Sequence, residues 1–264
     1  MKLKLLYLYV TITLMMLIIT YIALKRNIKP KIHKKLEYWE VHDKFFLKYA
    51  NLKYFNKEIK KYTLKEENMF LTNILLNSPN RSVFLDIGAY NGDTCLEIAE
   101  FLKTNNRSDI QILAFEPKKK LCDLINKKAN KNQYNLQCVN IVLSNKKGIL
   151  YNKKEEGAGN MFNEKFHGDK YNSDTLDNIL DDLKIQNIYL MKIDVEGHEA
   201  EVLEGAYESL KKTEQLYIEL WNDDHAKQRN PAVNNSHNKN VLQLLDNFFP
   251  IQKIEKNIYF KKLD

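Results

Sequence analysis

From Leu64 onward the apolar positions switch repeatedly between two periods. Lys65 to Asn77 carries Phe70, Leu71, Ile74 and Leu75 on one face, the spacing of an amphipathic helix. Val83 to Ile87 is a short run, apolar except for Asp86, that stops at Gly88, the pattern of a strand buried on both faces. The alternation then recurs. Helices are predicted over Asp93 to Lys103, Lys118 to Lys128, Asp174 to Leu183, His198 to Lys211 and Val241 to Phe249. Strands are predicted over Ile110 to Phe115, Leu136 to Leu143, Ile188 to Ile193 and Leu216 to Leu220, with a closing antiparallel pair at Ile251 to Ile254 and Ile258 to Lys261. Strands alternating with helices predict an α/β fold built on a doubly wound, mostly parallel sheet. In such sheets the ligand sits at the C-terminal ends of the strands, here just after Ile87, Phe115, Val142, Ile193 and Leu220.

The chain upstream of this region reads differently. Leu5 to Leu24 holds about 20 residues without a charge, enough at 1.5 Å per residue to span a hydrocarbon core of ~30 Å. The run is longer than a cleavable signal core, and the bulky Tyr21-Ile22-Ala23-Leu24 junction is a poor cleavage site. The organisation expected is therefore a membrane anchor at 1–26, a helical Lys- and aromatic-rich connector at 27–62 and a folded domain at 63–264. Lys25, Arg26, Lys29 and Lys31 follow the apolar run, which by the positive-inside rule keeps the body cytoplasmic. Single N-terminal anchors also hold folded domains in a lumen, so the side of the membrane stays open. The localisation expected is a single-pass membrane protein, a signal-anchor.

Composition changes this picture little. With 44% hydrophobic and 28% charged residues, 264 residues can bury a core and are not globally disordered. The net charge of +7 would ordinarily suggest nucleic acid. Here only Arg26, Arg81, Arg107 and Arg229 are arginines, the residue best suited to phosphate and base contacts, and Lys is heavy throughout. No nucleic-acid partner is expected. Three cysteines without a Cys-x-x-Cys pair indicate neither a disulfide framework nor a zinc ribbon.

Three motifs carry chemistry, each at a predicted strand end. Asp86-Ile87-Gly88-Ala89-Tyr90-Asn91-Gly92-Asp93-Thr94 is a nucleotide-type loop in which Gly88 and Gly92 let the backbone turn and approach a ligand. Tyr90 stands where a dinucleotide fingerprint needs its second glycine, and no Gly-Lys-Ser/Thr follows, so neither a pyrophosphate nor a triphosphate site is indicated. Asp86 beside the turn suits a cationic ligand. Ala114-Phe115-Glu116-Pro117 places a carboxylate at the end of the second strand, where it can accept hydrogen bonds from ribose hydroxyls. Lys192-Ile193-Asp194-Val195-Glu196-Gly197-His198-Glu199 packs five ionisable groups behind an apolar strand, more than ion pairing with Lys192 alone explains.

These segments, with Val139-Asn140-Ile141-Val142-Leu143-Ser144 and the Ser173 to Leu180 stretch, resemble the FkbM family of S-adenosylmethionine-dependent methyltransferases from about Ser82 to Glu219. The resemblance implies a class I methyltransferase fold, Rossmann-like, with S-adenosylmethionine as cofactor and a hydroxyl of a sugar, glycan or small molecule as acceptor. By the same resemblance Asp86, Gly88 and Gly92 would line the methionine part, Glu116 the ribose and Ser144 the adenine edge. Asp194, Glu196 and His198 would lie near the transferred methyl, with Asp194 touching the cofactor as well. The Tyr90-Asn91 pair departs from the family's commoner order.

An alcohol must lose its proton as it is methylated, and a base positioned for this is worth ~10²–10⁴ in rate. His198 is the first choice, since imidazole titrates in the neutral range, and Asp194 the second. A divalent metal on Asp194, Glu196 and His198 is a lesser alternative, and no resident metal is expected. Three other functions compete: a dinucleotide oxidoreductase, which would need the missing second glycine, a nucleotide-sugar glycosyltransferase, which would usually show an Asp-x-Asp motif, and a catalytically inactive, membrane-tethered binding module of the same fold. Glu155 to His167 is expected to help shape the acceptor pocket.

Overall fold

A computed structural model of the protein describes residues 64–152, 162–165, 167–220, 241, 243–254 and 257–262. All of them fall in one compact unit. The expected anchor at Leu5 to Leu24 and the connector at 27–62 lie outside the described residues. No helix among the described residues is long and apolar enough to cross a membrane.

The core of the fold is a seven-stranded sheet. Its inner strand β1 (Val83–Ile87) is buried at every position, and this follows from its neighbours: β2 (Gln111–Phe115) and β8 (Ile188–Ile193) flank it in parallel register. The full order is β10 (Phe248–Ile254), β11 (Asn257–Lys262), β9 (Thr213–Glu219), β8, β1, β2 and β3 (Leu136–Val139). Only β11 runs against its neighbours, pairing antiparallel with both β9 and β10. The chain winds outward from β1 to β3 on one side and restarts at β8 on the other, so the strand order reverses between β1 and β8. That reversal opens the crevice in which doubly wound sheets bind ligands.

On one face, α1 (Leu64–Leu76), α2 (Asp93–Thr104) and α3 (Lys119–Asn132) bury Leu71, Leu75, Ile98, Leu102 and Ile125 against Phe84, Ile112 and Leu136 of the sheet. Cys122 on α3 and Cys138 on β3 are joined by a disulfide, with Cα atoms 5.5 Å apart, a pairing the odd cysteine count did not suggest. The later helices are short: α4 (Leu176–Asp182), α5 (Glu199–Glu204) and α6 (Tyr207–Lys211). Asp177 of α4 accepts hydrogen bonds from the N–H groups of Glu208 and Ser209 at the start of α6, 2.9 and 2.7 Å, capping it.

Three elements depart from the sequence expectation. The run Leu136 to Leu143 is two strands in two sheets. Asn140 turns the chain by donating its amide to the carbonyls of Glu116 and Pro117, at 2.9 and 2.7 Å, and β4 (Val142–Leu143) then joins a four-stranded sheet of order β4, β7 (Lys170–Asp174), β5 (Gly148–Asn152), β6 (Phe162–Asn163). That second sheet was not expected, because β4 and β6 are only two residues long and most positions of β5 and β7 are exposed or half-buried. The helix expected over His198 to Lys211 breaks at Gly205, where a Cβ would lie 2.0 Å from the Ser144 carbonyl oxygen. In the last segment β10 begins at Phe248 and takes the end of the expected Val241 to Phe249 helix.

Gly205→Ala should therefore force two backbone segments apart and lower stability by about 1–3 kcal/mol, the usual cost of overpacking. Urea denaturation checks this; an unchanged midpoint would mean that the Gly205–Ser144 approach is not tight.

Candidate functional site

The ends of β1 and β8 are tied by charge. Asp86 and Lys192 are register partners across the two strands, and both are almost wholly shielded from water. The Lys192 ammonium lies 3.6 Å from Asp86 Oδ1 and 3.2 Å from Asp194 Oδ2. Burial disfavours that ammonium, but the carboxylates of Asp194, Asp86 and Glu67 outweigh burial and hold it protonated beyond the ordinary lysine range. Burial likewise pushes the carboxyl of Asp86 upward, with Lys192 pulling it back. Glu67, on α1, behaves in the same way, raised by burial and drawn down by Lys192. Neither the depth of Lys192 nor the participation of Glu67 was legible from sequence.

The loop after β1 turns at Gly88, whose φ is 88°. A Cβ there would sit 1.9 Å from the Asp194 carbonyl oxygen, so a side chain would collide with the end of β8. The N–H groups of Gly88 and Ala89 both donate to the Phe115 carbonyl, at 3.1 and 3.0 Å. Tyr90 follows with φ 49°, a left-handed conformation that costs a residue with a Cβ about 1–2 kcal/mol. Its N–H donates to Glu116 Oε2 at 2.9 Å, and the Lys118 N–H donates to Oε1 at 2.8 Å. Burial raises the Glu116 carboxyl above the ordinary glutamate range, and these two N–H groups oppose the rise. Gly92 also has positive φ, 84°, but the atom a Cβ would meet first is Ile125 Cγ1, at 2.7 Å. Leu96 Cδ1 follows at 2.9 Å, so both the left-handed backbone and these side chains favour glycine there.

The turn after β8 uses a second buried carboxylate. Glu196 is left-handed at φ 57° and Gly197 at 96°. Glu199, with no exposed surface, accepts the N–H groups of Val195 and Gly197 at Oε1, at 3.3 and 3.1 Å. His198 precedes α5 but its side chain makes no capping bond. Its Nε2 lies 3.1 Å from Ser144 Oγ, and its Nδ1 is 3.6 Å from Glu201 Oε2.

Between these turns lies a cavity of about 570 Å³, within the usual size of small-molecule and cofactor sites. Of the residues singled out in sequence, Gly88, Glu116, Asp194, Glu196 and His198 line it. Asp86 lies beneath it, fully buried, and Gly92 and Ser144 are not part of its wall. Ser144 and His198, expected at the adenine edge and near the methyl respectively, lie in contact with each other. The wall also takes in Tyr90, Lys118, Val142 and Phe162, which sequence reasoning did not assign. Phe162 falls inside the Glu155 to His167 segment expected to shape the pocket, most of which lies outside the described residues. Among the described residues no group of three His, Cys, Asp or Glu side chains converges to hold a metal ion.

The family model described as "Methyltransferase FkbM domain" matches residues 86–248, more than half of the chain. No curated protein sequence matches. Solved structures with a similar outline include monomeric WbdD, at 11% identity and a TM-score of 0.45 over 76% of this chain and 42% of that one. A precorrin-6y C5,15-methyltransferase from Geobacter metallireducens gives 13% identity and 0.41, over 77% and 92% of the two chains. A SAM-dependent O-methyltransferase from Thermotoga maritima gives 10% and 0.42, over 78% and 68%. The chain thus spans less than half the length of WbdD.

The charge cluster yields a direct test. Lys192→Met leaves Asp86 and Asp194 without their counter-ion and should cost about 3–5 kcal/mol, the loss seen when one partner of a buried pair is removed. In the wild type the raised lysine pKa contributes stability that is complete below the unfolded lysine pKa and is lost as pH rises through the folded value. The deficit of the variant should therefore shrink only in strong alkali. Chemical denaturation across pH measures it, and a Lys192→Met protein as stable as wild type at neutral pH would show that the pair contributes nothing.

Proposed function

The chain belongs to the family of the FkbM methyltransferase domain, and from that footing we propose that it is a membrane-anchored O-methyltransferase acting on a hydroxyl of a sugar, glycan or small molecule. S-adenosylmethionine is its cofactor. The cavity residues fit that group: Glu116, Asp194 and Glu196 outnumber Lys118, so the wall favours a cation, and the space is adequate. When bound, the cofactor supplies an electrophilic methyl on a sulfonium.

The observation that carries the reading is the convergence of Glu116 with Asp194 and His198 around one cavity at the strand-order reversal. Each oxygen of Glu116 accepts one backbone N–H and keeps a further lone pair, so the carboxylate remains able to receive ribose hydroxyls. The apolar stretch Ile141 to Leu143 takes the adenine in place of Ser144. Asp194, held by Lys192, stands beside the methionine portion, and Gly88 gives its backbone close access. His198, at the cavity wall, would take up the proton of the acceptor hydroxyl. Excluding water and aligning the hydroxyl with the methyl supply most of the remaining acceleration.

Calorimetry of the protein with S-adenosylmethionine, NAD and UDP-sugars separates this reading from oxidoreductase and glycosyltransferase functions; binding of only the first is expected. Glu116→Ala should weaken that binding by about 1.5–3 kcal/mol, the range for hydrogen bonds to a charged group. An unaltered affinity in a folded variant would remove Glu116 from the ribose site.

Anchoring rests on the uncharged Leu5 to Leu24 stretch. The full-length protein should stay with membranes through alkaline carbonate extraction, while a chain lacking residues 1–26 should be recovered in the supernatant. Release of the full-length protein by carbonate would contradict the anchor.

A further inference from the structure

We infer that Glu201 is a positioning residue for His198, and that Ser144, His198 and Glu201 form one array in which the imidazole is held as its Nδ1–H tautomer with Nε2 as the basic nitrogen. The inference deepens the proposed function and rests on its reading of His198 as the base.

The array is assembled from three parts of the chain. Ser144 follows β4 in the small sheet, His198 ends the turn after β8, and Glu201 sits three residues on, one turn into α5. The approach of Gly205 to the Ser144 backbone holds the first part against the last, so the Ser144 hydroxyl reaches the ring rather than solvent. The two ring nitrogens then face different groups. Nδ1 faces a carboxylate oxygen at 3.6 Å, and Nε2 faces a hydroxyl at 3.1 Å.

The carboxylate decides between the tautomers. Glu201 Oε2 is shielded from water and receives no hydrogen bond of ordinary geometry from any other group. An ionised carboxylate can only accept, so a lone pair on Nδ1 would face it unfavourably, whereas an Nδ1–H relieves it after a shift of a few tenths of an ångström. A hydroxyl can either donate or accept, so Ser144 adapts to whichever state Nε2 is in. With the proton on Nδ1, Nε2 bears the lone pair, and Ser144 orients the ring through it. The ring lines the cavity and is only slightly exposed, with these two groups beside its nitrogens. When Nε2 takes up the acceptor's proton, Glu201 faces the resulting imidazolium and stabilises it.

Nitrogen-15 NMR of the full chain in detergent, with labelled histidine, reads the tautomer directly. His198→Gln identifies the signals of His198 among the six histidines. At mildly alkaline pH, where an imidazole of ordinary pKa is neutral, the wild type should give a protonated Nδ1 and an unprotonated Nε2. Glu201→Gln should lose that bias, while Glu201→Asp should restore part of it. An Nε2–H tautomer in the wild type, or an unchanged signature in a folded Glu201→Gln, would overturn the array. Turnover of His198→Ala tests the underlying reading separately. Wild-type turnover there would remove His198 as base, and the tautomer result would still decide whether Glu201 orients the ring.

Discussion

The ammonium of Lys192, enclosed between β1 and β8 and faced by Asp86 and Asp194, is the constraint on which the site depends. A charge placed this deep persists only because the carboxylates beside it compensate for lost hydration. In doing so it draws together the last residues of β1 and β8, at the point where the strand order reverses. Gly88 lets the β1 turn pass over the Asp194 carbonyl, which a side chain would block. Asp194 emerges at the cavity with one carboxylate oxygen held by the same lysine that neutralises Asp86. The buried Lys192 below and the acidic wall above are therefore parts of one electrostatic arrangement.

Around this centre one device appears twice. Glu116 gathers the N–H groups of Tyr90 and Lys118, and Glu199 gathers those of Val195 and Gly197. Each buried carboxylate stiffens a loop that contains a left-handed non-glycine residue, Tyr90 in one and Glu196 in the other. Strained backbone at a ligand cavity persists where surrounding bonds overdetermine it, and these bonds do so here. The difference lies in what remains available. Glu116 lines the cavity and can still accept from a ligand, whereas Glu199 has no exposed surface and does not line the cavity. The family assignment and this arrangement point the same way, to a cofactor with ribose hydroxyls and a positive centre.

Much of this was legible in the chain because strands buried on both faces advertise themselves. Val83 to Ile87 and Ile188 to Ile193 were read with the bounds they have, since each is an apolar run cut off by a glycine or an acid. Gly88, Glu116 and the Asp194 to His198 turn were read as cavity residues from their place at strand ends. What escaped depended on contacts distant in sequence. The small sheet's apolar stretches are two or three residues long, too short to reveal it. The break at Gly205 comes from Ser144, about sixty residues earlier in the chain. Gly92 reads like Gly88, yet a Cβ there would meet the side chains of Ile125 and Leu96 rather than the Asp194 carbonyl. The pairing of Ser144 with His198 could not be inferred from spacing, because it depends on where Asn140 sends the chain after β3.

The central claim is that the cavity at the β1–β8 reversal holds the cofactor with its ribose on Glu116. The most direct measurement is an experimental structure of the protein with S-adenosylhomocysteine. The account predicts both ribose hydroxyls within hydrogen-bonding distance of Glu116 and the sulfur beside Asp194. A ligand bound elsewhere on the chain, or one whose ribose lies out of reach of Glu116, would contradict it.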